Sequence, residues 1–418
     1  MSFTMRGRLR YAAASAAVIA ALAASQRAAA DPAPPFRELL AQAQSNAPRL
    51  AEAAAGVRQA EGLARQAAAR PNPTAGVEIE NFSGTGPYRG TGQSDTTFSI
   101  GQPIELGGKR GARIAAGRAG LEAARARLVQ ARADYAFALA DAYAQAEAAE
   151  RQVALAQESL TLADEVLRVA RALVGAGKEA ELRSLQAQAA VTSARAALDI
   201  ARAERAGALS RLTALAGSPT PFTSLTESLL TIPNATTRAD INVLTTPAVV
   251  AAEAEREAAA RRVRVERTRA VPDVTVSAGV RRFSGDNSTA LVAGVSVPIP
   301  VFDQNRGNIT AAQGELQGAE ARLNAARLDA EADLRTALFQ VDAARTRVAA
   351  ATESETTAVE AFRLTRIAYE GGKSPLLELI NARRSLAEAR AQTIEAQLAR
   401  LRAEAGLARL QGRPFGDH

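Results

Sequence analysis

Short stretches of the chain alternate between apolar and polar or small residues. In the clearest of them, Val274, Val276 and Val280 fall on one face, whereas Thr275 and Ser277 fall on the other. The alternation recurs in three other places, and a period of two is typical of β-strands with one shielded face. The pattern predicts four strands, at about 73–82, 94–103, 273–283 and 289–298.

The stretches between the strands follow a helical period. They predict helices at about 36–69, 111–173, 178–216, 246–269, 307–370 and 375–411. Proline is absent between Pro103 and Pro219, and again between Pro300 and Pro375. At 1.5 Å per residue, an unbroken helix of about sixty residues is a rod of about 90–100 Å.

The last predicted helix carries a seven-residue repeat, which is typical of coiled coils. Its positions are Ile380, Ala387, Ile394, Leu401 and Ala408. Aromatic residues make up only 4% of the chain, and there is no Trp. This composition favours long helices that pack closely through alanine over a large globular core.

The chain contains an internal duplication. Pro71 and the Phe-Ser-Gly triplet at 82–84 recur 201 residues later, and Pro103 recurs 195 residues later as Pro298. The stretches 175–186 and 212–217 also recur at an offset of 195. The offset changes by six residues across the glycine-rich segment "SGTGPYRGTGQSD", which we interpret as a variable loop.

Each half therefore follows one order: a helix, two strands, a long helix, a turn and a second long helix. The predicted first repeat is 31–217, with its strand hairpin at 73–103 and its long helices at 111–216. The second repeat is 241–412, with its hairpin at 273–298 and its long helices at 307–411. A proline-rich linker, 218–240, joins them, and 413–418 form a tail.

The first thirty residues are predicted to be a secretory signal peptide. Three arginines precede a short apolar stretch, and "AAA" at 28–30 offers a small-residue cleavage site. The alternative is an uncleaved anchor helix. No later run approaches the ~20 apolar residues that a spanning helix needs. If the mature chain enters a membrane, we expect it to do so through its strands.

Charge and composition exclude several function classes. Without residues 1–30 the chain has 47 basic and 44 acidic residues, so the net charge falls from +7 to +3, and no nucleic-acid partner is predicted. There is no cysteine, and the single histidine is His418. Zinc sites of the Cys/His kind and catalysis by Cys or His are excluded. The Gly-Lys-Ser at 372–374 has Ile367 where a phosphate-binding loop needs glycine. We predict no enzymatic activity and no cofactor.

Strand length and number predict the quaternary arrangement. Each strand is about ten residues long, the length of a transmembrane β-strand, and four strands cannot close a barrel around a pore. Strand edges exposed to lipid are not tolerated, so strands must be shared between copies. The predicted fold class is an internally duplicated α+β membrane protein. It combines a long α-helical coiled-coil barrel with a transmembrane β-barrel of four strands per chain and twelve per trimer. An ordinary soluble sheet is the alternative, which two short hairpins make poorly.

The segments between strands and long helices are predicted to be joints. Prolines end the second strand of each hairpin, where a hydrogen-bond donor is no longer needed. Glycines or polar residues then let the backbone turn into the helix. The predicted joint residues are Pro103, Gly107 and Gly108 in the first half, and Pro298, Pro300, Asp303 and Gly307 in the second.

The turns between the long helices carry polar residues at helical spacing. Glu378 and Asn381 fall on one face of a helix near its start, and Arg183 and Gln186 are their equivalents in the first half. In a trimer, three copies of this face would converge, and a ring of carboxylates would favour cations. The alternative is a solvated helix tip without a role in transport.

This architecture resembles that of the TolC-like outer-membrane efflux proteins over essentially the whole mature chain. The segments "ARPNP", "EIEN", "QPIELGGKR" and "VPIPVFDQNRGNI" are similar to those of the heavy-metal (cobalt–zinc–cadmium) branch. The resemblance implies a homotrimer in the lipid of the outer membrane, with a helical tunnel through the periplasm. It also implies two further partners, a periplasmic adaptor and an inner-membrane resistance-nodulation-division pump.

The resemblance also implies roles for individual residues. The adaptor would contact the helix tips at Gly175, Gly177, Lys178, Gly371, Gly372 and Lys373. The family's acidic constriction falls near Glu378, and its second acidic position is Asn381 here. The implied function is passive export of divalent heavy-metal cations, with selectivity residing in the pump because the chain is poor in soft ligands. The alternatives are an organic-compound duct of the same fold, a periplasmic adaptor, and a structural coiled-coil protein.

Overall fold

A computed structural model describes residues 32–231 and 242–415 of the 418-residue chain. The predicted signal peptide, part of the predicted linker and the end of the predicted tail, including His418, lie outside the described residues.

Within the described residues, helices and strands follow one another in the predicted order. The elements are α1 (Phe36–Asn46), α2 (Pro48–Ala67), β1 (Thr74–Glu80), β2 (Asp95–Ile104), α3 (Lys109–Gly175), α4 (Glu181–Ala216), α5 (Pro247–Arg269), β3 (Val274–Phe283), β4 (Thr289–Ser296), α6 (Arg306–Glu370) and α7 (Leu376–Leu410). The two longest helices, α3 and α6, have 67 and 65 residues. Their unbroken length agrees with the absence of proline inside them.

The prediction of a single first helix over 36–69 is wrong at one position. Helix α1 ends at Asn46, and α2 begins at Pro48. The residue between them, Ala47, is extended with φ −67° and ψ 123°. Proline has no N–H for the helical ladder and pushes the preceding residue out of the helical region, so one helix becomes two.

The four strands form one antiparallel sheet in the order β1-β2-β3-β4. Thr74 faces Gly101 in the first hairpin, and Thr275 faces Ser296 in the second. The first members of these pairs differ by 201 and the second members by 195, which are the offsets found in the sequence. The two hairpins therefore share one register.

The sheet has one apolar and one polar face, as the alternation predicts. On the apolar face the side chains of Val77, Ile100 and Leu291 are 63%, 63% and 87% exposed. On the polar face Arg281 donates to the Thr97 hydroxyl at 2.9 Å and pairs with Glu80 at 2.7 Å. An apolar sheet face this exposed marks a surface that another apolar phase or partner covers.

Four helices end with the same main-chain motif. At the end of α3, Gly177 has φ 70°, and the Lys178 N–H donates to the Leu173 carbonyl at 2.9 Å. At the end of α6, Gly372 has φ 71°, and the Lys373 N–H donates to the Ala368 carbonyl at 2.8 Å. These are Schellman caps, in which glycine adopts the left-handed conformation without a Cβ clash. Helices α4 and α7 end in the same way, at Gly217 and Gly412.

The chain divides into two compact units. The first unit comprises the described parts of Met1–Ala51, Arg132–Asp240 and Asp333–His418. Its core contains many buried alanines and a few large side chains that are almost completely buried, namely Phe36, Leu139, Tyr143, Leu212 and Leu401. The Tyr143 hydroxyl donates to the Glu227 carbonyl at 3.0 Å, which ties α3 to the segment after α4.

A buried carboxylate holds that same segment in the first unit. Glu147 of α3 is 5% exposed and accepts the N–H groups of Leu229 and Leu230 at 2.7 and 3.0 Å. Arg151, one turn later, pairs with the carboxylate at 2.6 Å. Three charge-assisted contacts offset the cost of burying the charge. The described part of the predicted linker is therefore fixed to α3.

The second unit comprises Glu52–Ala131 and the described part of Ile241–Ala332. It contains the sheet, α5 and the first parts of α3 and α6. Val249 of α5 packs with Leu323 and Ala330 of α6. None of the helices among the described residues carries an apolar stretch suited to crossing a membrane.

Candidate functional site

The two predicted helix tips are exposed turns of the first unit. All six residues of the predicted adaptor contact are solvent-accessible: Gly175, Gly177, Lys178, Gly371, Gly372 and Lys373. After each turn the chain is extended for one residue, at Ala180 with ψ 147° and at Pro375 with ψ 156°, and a new helix begins. The two turns thus present their lysines on equivalent backbones.

The predicted constriction residues lie in the first two turns of α4 and α7. Glu378 and Asn381 are exposed, and the Ser374 hydroxyl donates to the Glu378 carboxylate. In the first half, Arg183 donates to Gln186 at 3.5 Å. The structure therefore brings the members of the first-half pair together, and it leaves the Glu378 carboxylate at the surface of a helix tip.

A groove beside these tips lies between α3, α4 and α7, with a volume of about 710 Å³. Its lining is mainly apolar and includes Leu162, Val166, Leu173, Leu376 and Ile380. The predicted residues Arg183 and Gln186 also line it. The groove could not be predicted from the sequence, because α3 and α4 form part of its wall and α7, which is distant in the sequence, forms the rest. The aliphatic residues at helical spacing on α3, from Leu155 to Leu173, were the available signal.

A charged cluster closes one side of the groove. The Arg383 guanidinium lies 5.8 Å from the centre of the Phe362 ring and donates to the Glu158 carbonyl at 3.2 Å. Burial lowers the pKa of Arg383, and the nearby carboxylates of Glu165 and Glu158 oppose that shift. Arg390 pairs with the Glu158 carboxylate at 2.6 Å. These contacts join α3 to α7, and Arg390 also reaches Glu355 of α6 at 3.7 Å.

The first predicted joint is a tight turn in the second unit. Pro103 faces Thr275 near the end of β2, and Gly107 and Gly108 have φ 66° and 75°. A Cβ on Gly107 would lie 2.8 Å from the nearest Val271 methyl group. Glycine is therefore required at this position both by its conformation and by the space available.

The second predicted joint reaches its helix differently. The left-handed residue is Asn305, with φ 56°, and its side-chain amide donates to the Glu266 carbonyl at 2.7 Å. Asp303 accepts the Asn305 N–H at 2.9 Å. Gly307 lies in the first turn of α6, and Pro298 and Pro300 lie in the exposed stretch after β4. Asn305 lies inside the predicted joint but was not singled out from the sequence, although asparagine is the non-glycine residue that best tolerates this conformation.

The described residues contain no group of three or more acidic or histidine side chains arranged to hold a metal ion. Within this part of the chain, several acidic residues at the tips and joints pair with serine, lysine or arginine side chains. Examples are Glu378 with Ser374, and Asp273 with Lys109 at 2.7 Å.

Comparisons with known proteins agree with this architecture. The outer membrane efflux protein family matches residues 39–218 and 244–413. The nickel-cobalt-cadmium resistance protein NccC of Alcaligenes xylosoxydans xylosoxydans is 45% identical over 381 residues, which cover 91% of this chain and 87% of NccC. The nickel and cobalt resistance protein CnrC of Cupriavidus metallidurans is 47% identical over 309 residues, 74% of each chain.

Solved structures show the same fold. A crystal structure of CusC superposes with a TM-score of 0.76 at 19% identity, covering 90% of this chain and 92% of that one. The open-state MtrE outer membrane channel of Neisseria gonorrhoeae gives a TM-score of 0.75 at 21% identity, covering 91% and 90%. The resemblance to TolC-like proteins is confirmed, and the adaptor and structural coiled-coil alternatives are disfavoured. This chain belongs to the outer membrane efflux protein family, and its fold is that of solved outer-membrane channels.

Proposed function

We propose that this chain is the outer-membrane duct of a three-part efflux system for divalent heavy-metal cations. One observation carries the proposal: 45% identity, over 91% of the chain, to a protein named for nickel, cobalt and cadmium resistance. The relative CzcC of Cupriavidus metallidurans, named for cobalt, zinc and cadmium resistance, is 33% identical over 46% of the chain. We infer the substrate class from these relatives, because the fold alone does not determine the substrate.

The duct is assembled from three copies of the chain. The sheet ends in β1 on one side and β4 on the other, and its apolar face is exposed. An open edge in lipid leaves backbone N–H and C=O groups without partners, which costs several kcal/mol for each group. Three copies supply twelve strands that close a barrel wide enough for a duct. The apolar face then meets the lipid of the outer membrane.

The helix tips receive a periplasmic adaptor, which links the duct to a resistance-nodulation-division pump. Several apolar side chains stand exposed near the two tips, which supports contact with a partner: Leu182, Leu185, Ile367 and Leu377 are 61%, 61%, 54% and 55% exposed. The groove of about 710 Å³ beside them extends this apolar surface. Lys178 and Lys373 add a positive rim.

The first two turns of α7 form the periplasmic constriction in this proposal. Three copies of Glu378 face the bore and attract cations, while Asn381 leaves the ring with fewer charges. Arg183 and Gln186 of the first half line the same groove as Leu376 and Leu377 at the start of α7. The duct itself carries out no chemistry, and we assign the selectivity between metals to the pump.

A growth assay tests the substrate class. The gene is deleted in its own host, and resistance to nickel, cobalt, cadmium, zinc, copper and a panel of antibiotics is measured side by side. We expect the loss of resistance to one or more of the divalent metals, restored by the gene on a plasmid. Loss of resistance to organic compounds alone would overturn the assignment and favour the organic-compound duct.

A further inference from the structure

The four described strands contain only two basic residues, Arg281 and Arg282, which are neighbours near the end of β3. Successive side chains of a strand point to opposite faces of the sheet, so the two guanidinium groups lie on opposite faces. Arg281 lies on the polar face, where it pairs with Glu80 at 2.7 Å and donates to the Thr97 hydroxyl at 2.9 Å. Arg282 therefore lies on the apolar face.

Arg282 is the only charged residue on the apolar face of these strands. The three acidic residues of the strands lie on the polar face, because Glu80 faces Asp95 and Glu78 precedes Glu80 by two residues. Arg282 has no acidic partner among the described residues, and its guanidinium donates to the side-chain oxygen of Asn287 at 3.2 Å. Since a guanidinium carries five N–H groups, this single bond leaves donors for a further partner.

Two threonines flank Arg282 on the neighbouring strands. Thr96 of β2 and Thr289 of β4 each face it directly. Facing residues lie on the same side of the sheet, with their Cβ atoms about 4.5–5.5 Å apart. The guanidinium therefore extends from between two hydroxyl groups, and the three side chains form one polar row across β2, β3 and β4. We call Thr96, Arg282 and Thr289 the arginine row.

The arginine row lies at one edge of the apolar face, next to the hairpin turns. The adjacent row towards the helices is apolar and exposed, and it consists of Val77, Phe98, Val280 and Leu291. Arg282 is eight residues from Val274, the start of β3, which is about 27 Å along the strand at 3.4 Å per residue. The apolar band on a transmembrane barrel is about 25 Å tall. The arginine row therefore marks a boundary of this band and not its middle.

The connections of the sheet identify which boundary this is. The long helices α3 and α6 leave the sheet at the end opposite the hairpin turns. In the proposed function the helices lie in the periplasm, so the hairpin turns and the arginine row face the outside of the cell. A charged side chain costs little at the edge of the apolar band, and an arginine there can extend its guanidinium to the lipid headgroups. Phosphate groups at that level carry the opposite charge.

We propose that the arginine row binds a phosphate group of an outer-leaflet lipid of the outer membrane. The Arg282 guanidinium supplies the positive charge and a two-donor contact that matches the phosphate geometry. The hydroxyls of Thr96 and Thr289 donate from either side. A lipid fits better than free phosphate, because the apolar band beside the row accommodates its acyl chains. The inference rests on the proposed outer-membrane duct and adds a lipid-binding site to its surface.

The internal repeat indicates one such site for each chain. The residue equivalent to Arg282 in the first hairpin is Asn81, 201 residues earlier. Asn81 is uncharged, has φ 55°, and donates its side-chain amide to the Asp95 carboxylate at 3.1 Å. The first hairpin therefore lacks a guanidinium at this position, and we expect one tightly bound lipid molecule for each chain of the trimer.

Lipid binding by the purified trimer of the full chain tests the proposal. The probe is diphosphorylated lipid A, which is compared with lipid A from which the phosphate groups have been removed. Native mass spectrometry counts the bound lipid molecules over a range of lipid concentrations. Arg282→Gln removes the charge, and Arg282→Lys keeps it. The matched control is Arg281→Gln, which removes the same side chain from the adjacent residue on the other face.

We expect the parent chain to bind diphosphorylated lipid A at least fivefold more tightly than the dephosphorylated form. Arg282→Gln should abolish this preference, Arg282→Lys should keep at least half of it, and Arg281→Gln should keep all of it. An unchanged preference in Arg282→Gln would overturn the proposal, as would an equal loss in Arg281→Gln. Displacement of lipid A by an equimolar amount of inorganic phosphate would overturn the assignment to a lipid.

A second variant keeps the test decisive if Arg282→Gln forms no trimers. The double variant Thr96→Val with Thr289→Val should lower the preference for phosphorylated lipid at least twofold, and an unchanged preference would then refute the site. The lipid site and the duct can fail separately. Trimers from the outer-membrane fraction without any preference for phosphorylated lipid would refute the site and leave the duct standing. A chain that is absent from the outer-membrane fraction would refute both.

Discussion

Arg183 in the tip of the first half and Glu378 in the tip of the second stand at equivalent positions on the same main-chain turn. Both turns end with a left-handed glycine, Gly177 or Gly372, and the same pair of cap hydrogen bonds. Both following helices begin after one extended residue. The duplication therefore preserved the backbone of the tip while the side chains, including the sign of the charge, diverged.

The same contrast recurs elsewhere in the two halves. The buried position Leu209 of α4 corresponds to Glu404 of α7, which is 2% exposed. The ion pair between Lys109 and Asp273 at the first joint corresponds to uncharged residues at the second. Backbone turns depend on a few local requirements, such as a glycine with positive φ. Side-chain identity depends on the packing neighbours, which differ between the halves. The variants described next test whether the two halves share their backbone requirements but differ in their side-chain contacts.

The largest stability effect is expected at the first joint. Asp273→Ala removes the partner of Lys109 and of the Leu106 N–H, and should lower the free energy of unfolding by about 2 kcal/mol. Asp303→Ala at the second joint removes an acceptor of the Asn305 N–H and should cost less than about 1 kcal/mol. Thermal unfolding in detergent measures both variants. Equal losses would mean that the two joints are equally packed within one chain.

The two tips should respond alike to loss of their left-handed glycines. Gly177→Ala and Gly372→Ala each place a Cβ at φ near +70° and should each cost about 1 kcal/mol. Gly175→Ala is the matched control, because Gly175 lies in the last turn of α3 with open space around it and should be neutral or slightly stabilising. Unequal costs at the two tips, measured by thermal unfolding, would break their structural equivalence.

The buried Glu404 gives a pH-dependent difference between the halves. Burial raises its pKa, and the charges of Arg400 and Arg345 oppose the shift. Because the folded-state pKa exceeds the unfolded value, this group favours folding at low pH, and that contribution is lost as pH rises through the folded pKa. Glu404→Leu, which copies Leu209, should therefore stabilise the chain by about 1 kcal/mol at pH 8 and less at pH 4.

Melting temperatures at both pH values measure this effect. Glu395→Leu serves as the control, because Glu395 is exposed and its ion pair with Arg347 is 3.7 Å long. It measures the effect of replacing an exposed glutamate on the same helix by leucine. The contrary result is that Glu404→Leu, compared with the parent chain, is stabilised less at pH 8 than at pH 4. That result would show that the ion pair with Arg345 contributes more than the burial of Glu404 costs.

Substitutions at the constriction candidates are expected to change stability the least. They should instead change ion conduction. Glu378→Gln should reduce the preference for cations by a few-fold, and Arg183→Gln should increase it, because each removes one sign of charge from the tips. Reversal potentials in planar bilayers under a salt gradient measure both. Unchanged potentials in the Glu378→Gln channel would place the cation-attracting charge elsewhere.

Much of the fold could be predicted because the local spacing of apolar residues indicates helices and strands. The strands and the long helices were predicted within three residues of their ends, and the repeat offsets anticipated the hairpin registers. The break before Pro48 was missed because the apolar period continues across it, although the proline itself forbids one continuous helix.

The groove and the charged contacts could not be predicted, because they join distant segments. Arg383 meets Glu158 only after α7 packs beside α3, and Glu147 meets Leu229 and Leu230 only after the segment following α4 folds back. Among dozens of similar arginines and glutamates, nothing local marks these partners. Turns that depend on one residue type, such as those at Gly107 or Gly177, could be identified from the sequence. Contacts that depend on two distant residues could not.

The export of preloaded metal ions tests the central claim most directly. Cells that keep the cognate pump and adaptor but lack this chain are loaded with nickel or cobalt, washed and followed by mass spectrometry of the retained metal. We predict that the deletion strain retains several-fold more of at least one divalent metal, and that the gene supplied on a plasmid restores its release. Identical release with and without the chain, for every divalent metal tested, would contradict its role as a heavy-metal efflux duct.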